Sequence, residues 1–154
     1  MRKSVIGWQM LNSKILHASL VVLDGKGILI TGKSGCGKSD LAFRLIEEKK
    51  AILVADDVVR VFQKNGILYG ECSEKLAGLL EIRGVGIAKY NYLKSSAIRL
   101  VVNLKNDVSE IERLPIDKQN VILGVEIPAI DLYAKECSAP NKICVKLRNS
   151  FISV

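Results

Sequence analysis

Gly32-Lys33-Ser34-Gly35-Cys36-Gly37-Lys38-Ser39 is the stretch whose reading decides the fold. It is a glycine, four residues, then Gly-Lys-Ser, the pattern of a phosphate loop. Upstream, Gly27-Ile28-Leu29-Ile30-Thr31 is a short apolar run of the kind that forms a buried strand. Downstream, Leu41, Ala42, Leu45 and Ile46 recur at helical spacing, with Arg44, Glu47 and Glu48 opposite, which predicts a helix over about 38–49. Strand, glycine loop, helix is the context that the pattern requires. Glycines let backbone N–H groups turn inward onto anionic oxygens, and the helix start adds the positive end of its dipole. Lys38 is expected to reach the β- and γ-phosphates, and the Ser39 hydroxyl to sit on Mg²⁺. The rival reading is a glycine-rich turn with a chance lysine, and the flanking strand and helix weigh against it. The stretch implies a site for a nucleoside triphosphate or a similar polyphosphate.

Composition narrows the rest. A chain of 154 residues, 49 % apolar and only 5 % aromatic, predicts one aliphatic globular domain, 1–154, with its own core. No apolar run approaches the ~18 residues of a membrane span. The basic start, Met1-Arg2-Lys3, is followed by Gln9, Asn12, Ser13 and Lys14, which interrupt any signal-peptide core. Cys36, Cys72, Cys137 and Cys144 show no paired metal-ligand spacing, so reduced thiols and a cytoplasmic location are expected. Cys36 is expected to contribute backbone, because its place in the loop pattern is free to vary. The net charge of +7 favours anionic partners. Lysines and arginines are scattered and aromatics few, so neither nucleic acid nor a membrane is an expected partner.

Taken in order, residues 1–14 read as an irregular lead-in. Residues 15–23 read as a strand containing the only histidine, His17, with a turn at Asp24-Gly25-Lys26-Gly27 that should pair it antiparallel to 27–31. Residues 51–55 are a continuous apolar run ending in Asp56-Asp57, a buried strand. Residues 58–63 and 67–71 flank Lys64-Asn65-Gly66, a second hairpin. A short helix or turn is expected over 73–80, an extended piece with two glycines over 81–87, and a loop over 90–96. Strands are expected over 98–104, 121–125, 129–133 and 142–147, with a polar stretch at 106–120. Hairpins outnumber helices, so the fold class is α/β with a mixed sheet.

A phosphoryl-transfer site needs phosphate contacts, an acidic partner for magnesium, a base and cationic help. Asp56 and Asp57 follow a strand, at the end where α/β sheets bind ligands, and one would be a base and the other a water-mediated metal partner. An acidic turn is the alternative. Glu81 and Arg83 precede Gly84 and Gly86, where backbone can approach a ligand, although a bulged strand with an external ion pair reads as well. By themselves, Arg113 before Leu114-Pro115 reads as a surface arginine, and His17 as a hydrogen-bonded core histidine.

Together these stretches resemble the kinase domain of the bacterial HPr kinase/phosphorylase family. The resemblance rests on His17-Ala18-Ser19, the loop with Asp40-Leu41-Ala42, and Leu53-Val54-Ala55-Asp56-Asp57. It continues through Leu80-Glu81-Ile82-Arg83-Gly84-Val85-Gly86-Ile87 and Glu112-Arg113-Leu114-Pro115. The length resembles the short alphaproteobacterial form. The resemblance implies a single phosphate-loop kinase domain, related in fold to phosphoenolpyruvate carboxykinase. It also implies ATP and Mg²⁺ as cofactors and the phosphocarrier HPr of the sugar phosphotransferase system as partner. Inorganic phosphate and pyrophosphate would serve a reverse, phosphorolytic reaction. Asp56 resembles the base; Lys38, His17 and Arg113 match catalytic positions; Ser39 and Glu81 match magnesium ligands. The loop of Gly32, Lys33, Ser34, Gly35, Cys36, Gly37, Lys38 and Ser39 would hold the nucleotide. Longer members form hexamers, so a homo-oligomer is among the expectations. Their dephosphorylation segment carries a Gly-Arg pair that is missing here from Ile127-Pro128-Ala129-Ile130-Asp131-Leu132 and Ser138-Ala139-Pro140-Asn141-Lys142. The rival functions are a nucleotide-sensing regulatory module that transfers nothing, and a kinase of a small hydroxylated molecule.

Overall fold

The structure, a computed structural model, describes residues 12–149. Its organising element is the eleven-residue strand β9 (Ser95–Lys105), which carries apolar side chains on both faces. Parallel to it on one side runs β3 (Lys26–Thr31), the strand that feeds the phosphate loop. On the other side β9 pairs first with β6 (Ile67–Glu71), antiparallel, and then with β11 (Val125–Tyr133), parallel. Beyond β3 lie β2 (Ser19–Leu23), antiparallel, and β4 (Ile52–Ala55) at the edge. Beyond β6 lie β5 (Val59–Lys64) and β1 (Ser13–Leu16), while β10 (Lys118–Ile122) pairs with β11. The nine-stranded sheet is mixed, as the abundance of hairpins predicts.

Two apolar layers hold it. On one face, Ile28, Ile30, Leu100 and Val102 pack under Leu41, Ala42 and Leu45 of α1 (Lys38–Lys49) and Ile143 and Cys144 of α2 (Ala139–Arg148). On the other, Leu29, Val101 and Ala129 meet Val59, Val61 and Leu68 of the β5–β6 hairpin. A bulge between Gly27 and Ile28 shifts the pairing from Ile98 to Leu100, which turns Ile98 onto the hairpin side. Gly27 is required there: a Cβ would stand 2.2 Å from the carbonyl oxygen of Ala97, inside the backbone of the neighbouring strand.

Several sequence expectations hold. The helix spans 38–49 as read, and both expected hairpins form, with positive φ at Asp24, Gly25, Asn65 and Gly66. Others are corrected. The expected strand over 15–23 is two strands broken at His17, and Ser13 and Lys14 belong to β1 rather than to the lead-in, whose residues 1–11 lie outside the described residues. The segment 73–78 is turn, and the extended piece over 81–87 folds back on itself as the hairpin of β7 (Leu79–Ile82) and β8 (Gly86–Lys89). The expected strand over 121–125 is a turn at Leu123-Gly124, both at positive φ. The expected strand over 142–147 is helix α2. Its β-branched residues suggest a strand, but Ala139, Pro140, Ile143 and Cys144 are buried at helical spacing, and Pro140 suits a first turn.

Candidate active site

Four strands deliver the site. β3, β9 and β11 run parallel, and β4 shares their direction because two antiparallel steps, through β2, relate it to β3. Their carboxyl ends therefore face one edge, where ligands of α/β sheets bind. β3 ends at Thr31 and the chain turns into the loop. At Gly32, φ is 152° and a Cβ would lie 2.5 Å from the sulfur of Cys36. At Gly37, the residue before α1, φ is 100°, a conformation that side chains disfavour. Cys36 is buried and packs in the helix-side core, so it supplies packing beneath the loop as well as backbone. The Lys38 ammonium folds back over the loop, donating to the carbonyl oxygens of Gly32 (2.8 Å) and Lys33 (3.1 Å).

Ser39, one residue into the helix, meets Asp56 from the end of β4. Its hydroxyl lies 2.9 Å from Oδ1 and 3.1 Å from Oδ2 of Asp56. The Ser19 hydroxyl, at the start of β2, donates to the same Oδ1 at 2.8 Å. Ser19 is fully buried, and a buried hydroxyl needs a partner, so the pairing locks the carboxylate in place. Ser19 was not singled out by residue type; the signal was its place in His17-Ala18-Ser19, which brings it to the same edge. Between the two aspartates the geometry separates positions: Asp56 faces the loop, whereas Asp57 is exposed with φ 67° in the following turn.

Cys72, just after β6, adjoins this group. Burial raises its thiol pKa; hydrogen bonds from Ser73 oppose the shift, and the negative charge of Asp56 adds to it. His17 is exposed at the break between β1 and β2, which corrects the core-histidine reading. Glu81 on β7, Arg83 at the hairpin turn and Arg113 in the loop before β10 are also exposed. Among the described residues, no hydrogen bond or ion pair ties these four side chains to Asp56, Ser39 or Lys38. β7 is nonetheless anchored beside the loop helix, because Leu80 packs in the same core as Leu41 and Leu45.

The donor set suits magnesium better than a metal caged by protein. The described residues contain no group of three or more His, Cys, Asp and Glu side chains able to hold a metal. Of the described side chains at the loop, the Ser39 hydroxyl is the kind of partner Mg²⁺ takes when phosphates and water complete its shell. None of the described helices is long and apolar enough to cross a membrane.

Fold and site define a phosphate-loop α/β domain with an acidic strand end set against the loop serine. The family model described as HPr Serine kinase C-terminal domain matches residues 8–147, and the chain belongs to that family. The HPr kinase/phosphorylase of Clostridium botulinum is 37 % identical over 122 residues, covering 73 % of this chain and 40 % of that protein. That of Lactobacillus acidophilus is 37 % identical over 131 residues, covering 78 % and 40 %. The solved Hpr(Ser) kinase/phosphatase of Coxiella burnetii superposes with a TM-score of 0.74 at 28 % identity, covering 84 % of this chain and 91 % of that one. The chain thus spans about two fifths of the curated relatives it matches. The mixed-sheet, phosphoenolpyruvate-carboxykinase-like kinase fold expected from the sequence is the observed one.

Proposed function

We propose that this chain is the catalytic domain of an ATP-dependent serine protein kinase whose acceptor is the cytoplasmic phosphocarrier HPr. The observation that carries the reading is the contact between Ser39 and Asp56, which sets a carboxylate at the lip of the phosphate loop. Each serine hydroxyl has a single proton to give: that of Ser19 goes to Oδ1 and that of Ser39 is shared between Oδ1 and Oδ2, which leaves Oδ2 with room to take a proton. In this reading the acceptor serine oxygen attacks the γ-phosphorus as its proton passes to Asp56, and the bridging oxygen leaves with the diphosphate. Lys38 leaves the loop carbonyls for the phosphate oxygens and offsets the charge that develops there. Ser39 and Glu81 would be the protein's ligands for magnesium, which would supply Lewis-acid stabilisation of the same oxygens. In this reading Arg113 and His17, both exposed, would meet the phosphoryl group and the acceptor. The missing Gly-Arg pair over 127–142 favours the kinase direction over phosphorolysis, in which Asp56 would return the proton to the serine.

The test is transfer of labelled phosphate from ATP to purified HPr of the same organism, with Asp56→Asn as control. Label on HPr that vanishes in the control is the expected result. Tight Mg-ATP binding without transfer would replace this reading by a nucleotide sensor, and label on a small hydroxylated metabolite alone would make it a small-molecule kinase.

A further inference from the structure

The face of α1 that the sequence presents as solvated, with Arg44, Glu47 and Glu48, contains one side chain that is largely covered. Arg44 exposes only 17 % of its side chain. Its guanidinium lies between α1 and the chain that leaves β11. Nη1 donates to the carbonyl oxygen of Glu136 at 3.1 Å, Nη2 to that of Ala134, and Nε to Asp40 Oδ2, one turn earlier, at 3.0 Å. Ala134 is buried and stands behind the phosphate loop: a Cβ on Gly37 would lie 3.1 Å from the Ala134 methyl carbon. Gly37, Asp40 and Arg44 follow one another at helical spacing, so the arginine lies on the face of α1 that meets this segment. The segment is fastened on its far side too. The Glu136 carbonyl oxygen also accepts from the Ala139 N–H at 3.1 Å, and the Glu136 carboxylate pairs with Lys142 of α2.

We propose that Arg44 is a positioning residue for polyphosphate binding: it clamps residues 134–136 behind Gly37 and so holds the Gly37, Lys38 and Ser39 N–H groups in the arrangement that phosphate needs. The first argument is chemical. A guanidinium is a planar fork, and two backbone carbonyls and a carboxylate use three of its five N–H donors. An exposed ion pair with Asp40 would need neither the fork nor the burial. The second argument is geometric. A helix N-terminus binds anions through N–H groups whose directions the backbone sets. Gly37, at φ 100°, has no side chain of its own to hold that backbone. Ala134 supplies the contact, and Arg44 holds Ala134. The proposal rests on the phosphate-loop part of the functional reading and not on the identity of the acceptor.

The experiment is calorimetric titration with Mg-ATP and with Mg-tripolyphosphate, which has phosphates but no nucleoside. The wild-type chain is compared with Arg44→Leu, Arg44→Lys and Asp40→Asn, each at a temperature below its own unfolding transition. Arg44→Leu should weaken both ligands equally, by about tenfold. Arg44→Lys keeps a charge beside Asp40 but has no fork, so it should weaken both as well, and it carries the test if the leucine variant does not fold. Asp40→Asn leaves the clamp in place and should bind as the wild type does. Wild-type affinity in Arg44→Lys, or a loss in Asp40→Asn as large as that in Arg44→Leu, would overturn the clamp. A wild type that binds neither ligand would overturn the phosphate-loop reading and the clamp with it. Failure to label HPr while the expected binding pattern holds would remove the kinase reading and leave the clamp standing.

Discussion

Asp56 is the residue on which the chemistry turns, and its two hydroxyl donors have different jobs. Ser39 sits on the phosphate side and Ser19 behind it, in the core. Ser19→Ala should leave nucleotide affinity unchanged while lowering turnover and costing about 1 kcal/mol of stability, read by urea unfolding beside the kinetics. Lys38→Ala should abolish binding of ATP and tripolyphosphate alike with the fold intact; unchanged calorimetric titrations would exclude the loop from binding. Cys72 reports on the same carboxylate. Its raised pKa means that the folded state favours the neutral thiol, so this contribution to stability is present below the unfolded pKa and is lost as pH rises through the folded one. Asp56→Asn removes one cause of the rise, so the pH midpoint of Cys72 alkylation should fall in that variant, as mass spectrometry would show. The loop and Asp56 were legible because backbone geometry dictates residue type there. Ser19 was not, because one buried serine looks like any other until its partner, 37 residues away, is known.

The elements show where local signals suffice. Helix α1 was readable to its ends because glycine, lysine and apolar spacing agree. It closes at Lys50 in a left-handed conformation, φ 60°; the Lys50 N–H bonds the carbonyl oxygen of Ile46 and the Ala51 N–H that of Leu45. A glycine carries no Cβ strain there, so Lys50→Gly should raise stability by about 1 kcal/mol in thermal or urea unfolding. Helix α2 was misread because Ile143, Cys144 and Val145 favour a strand by propensity, and only burial against α1 decides otherwise. The turn at Leu123-Gly124 was missed for a related reason: a leucine at φ 49° is costly in isolation, and here it packs against the hairpin-side core.

For the whole molecule, one sheet separates two cores that share every atom of its backbone. Leu45 lies in the helix-side core and Leu68 in the hairpin-side core, both essentially inaccessible to solvent. Leu45→Ala and Leu68→Ala should each cost about 2–5 kcal/mol and move a single unfolding transition followed by circular dichroism. Two resolved transitions in the Leu68 variant would show that the hairpin layer melts by itself. The mixed sheet was legible from the count of hairpins, but the central place of β9 was not, because pairing across distant sequence leaves no local trace.

The order β4, β2, β3, β9 makes the sheet a ruler for ligands. Asp56 hangs from one end of that set and Asn103 from the other, three strand spacings apart, about 14 Å at the usual separation. Backbone hydrogen bonds fix the gauge, so no side-chain motion stretches it. A ligand as short as pyrophosphate can engage only one graduation of the scale, and only a longer molecule could be read at both.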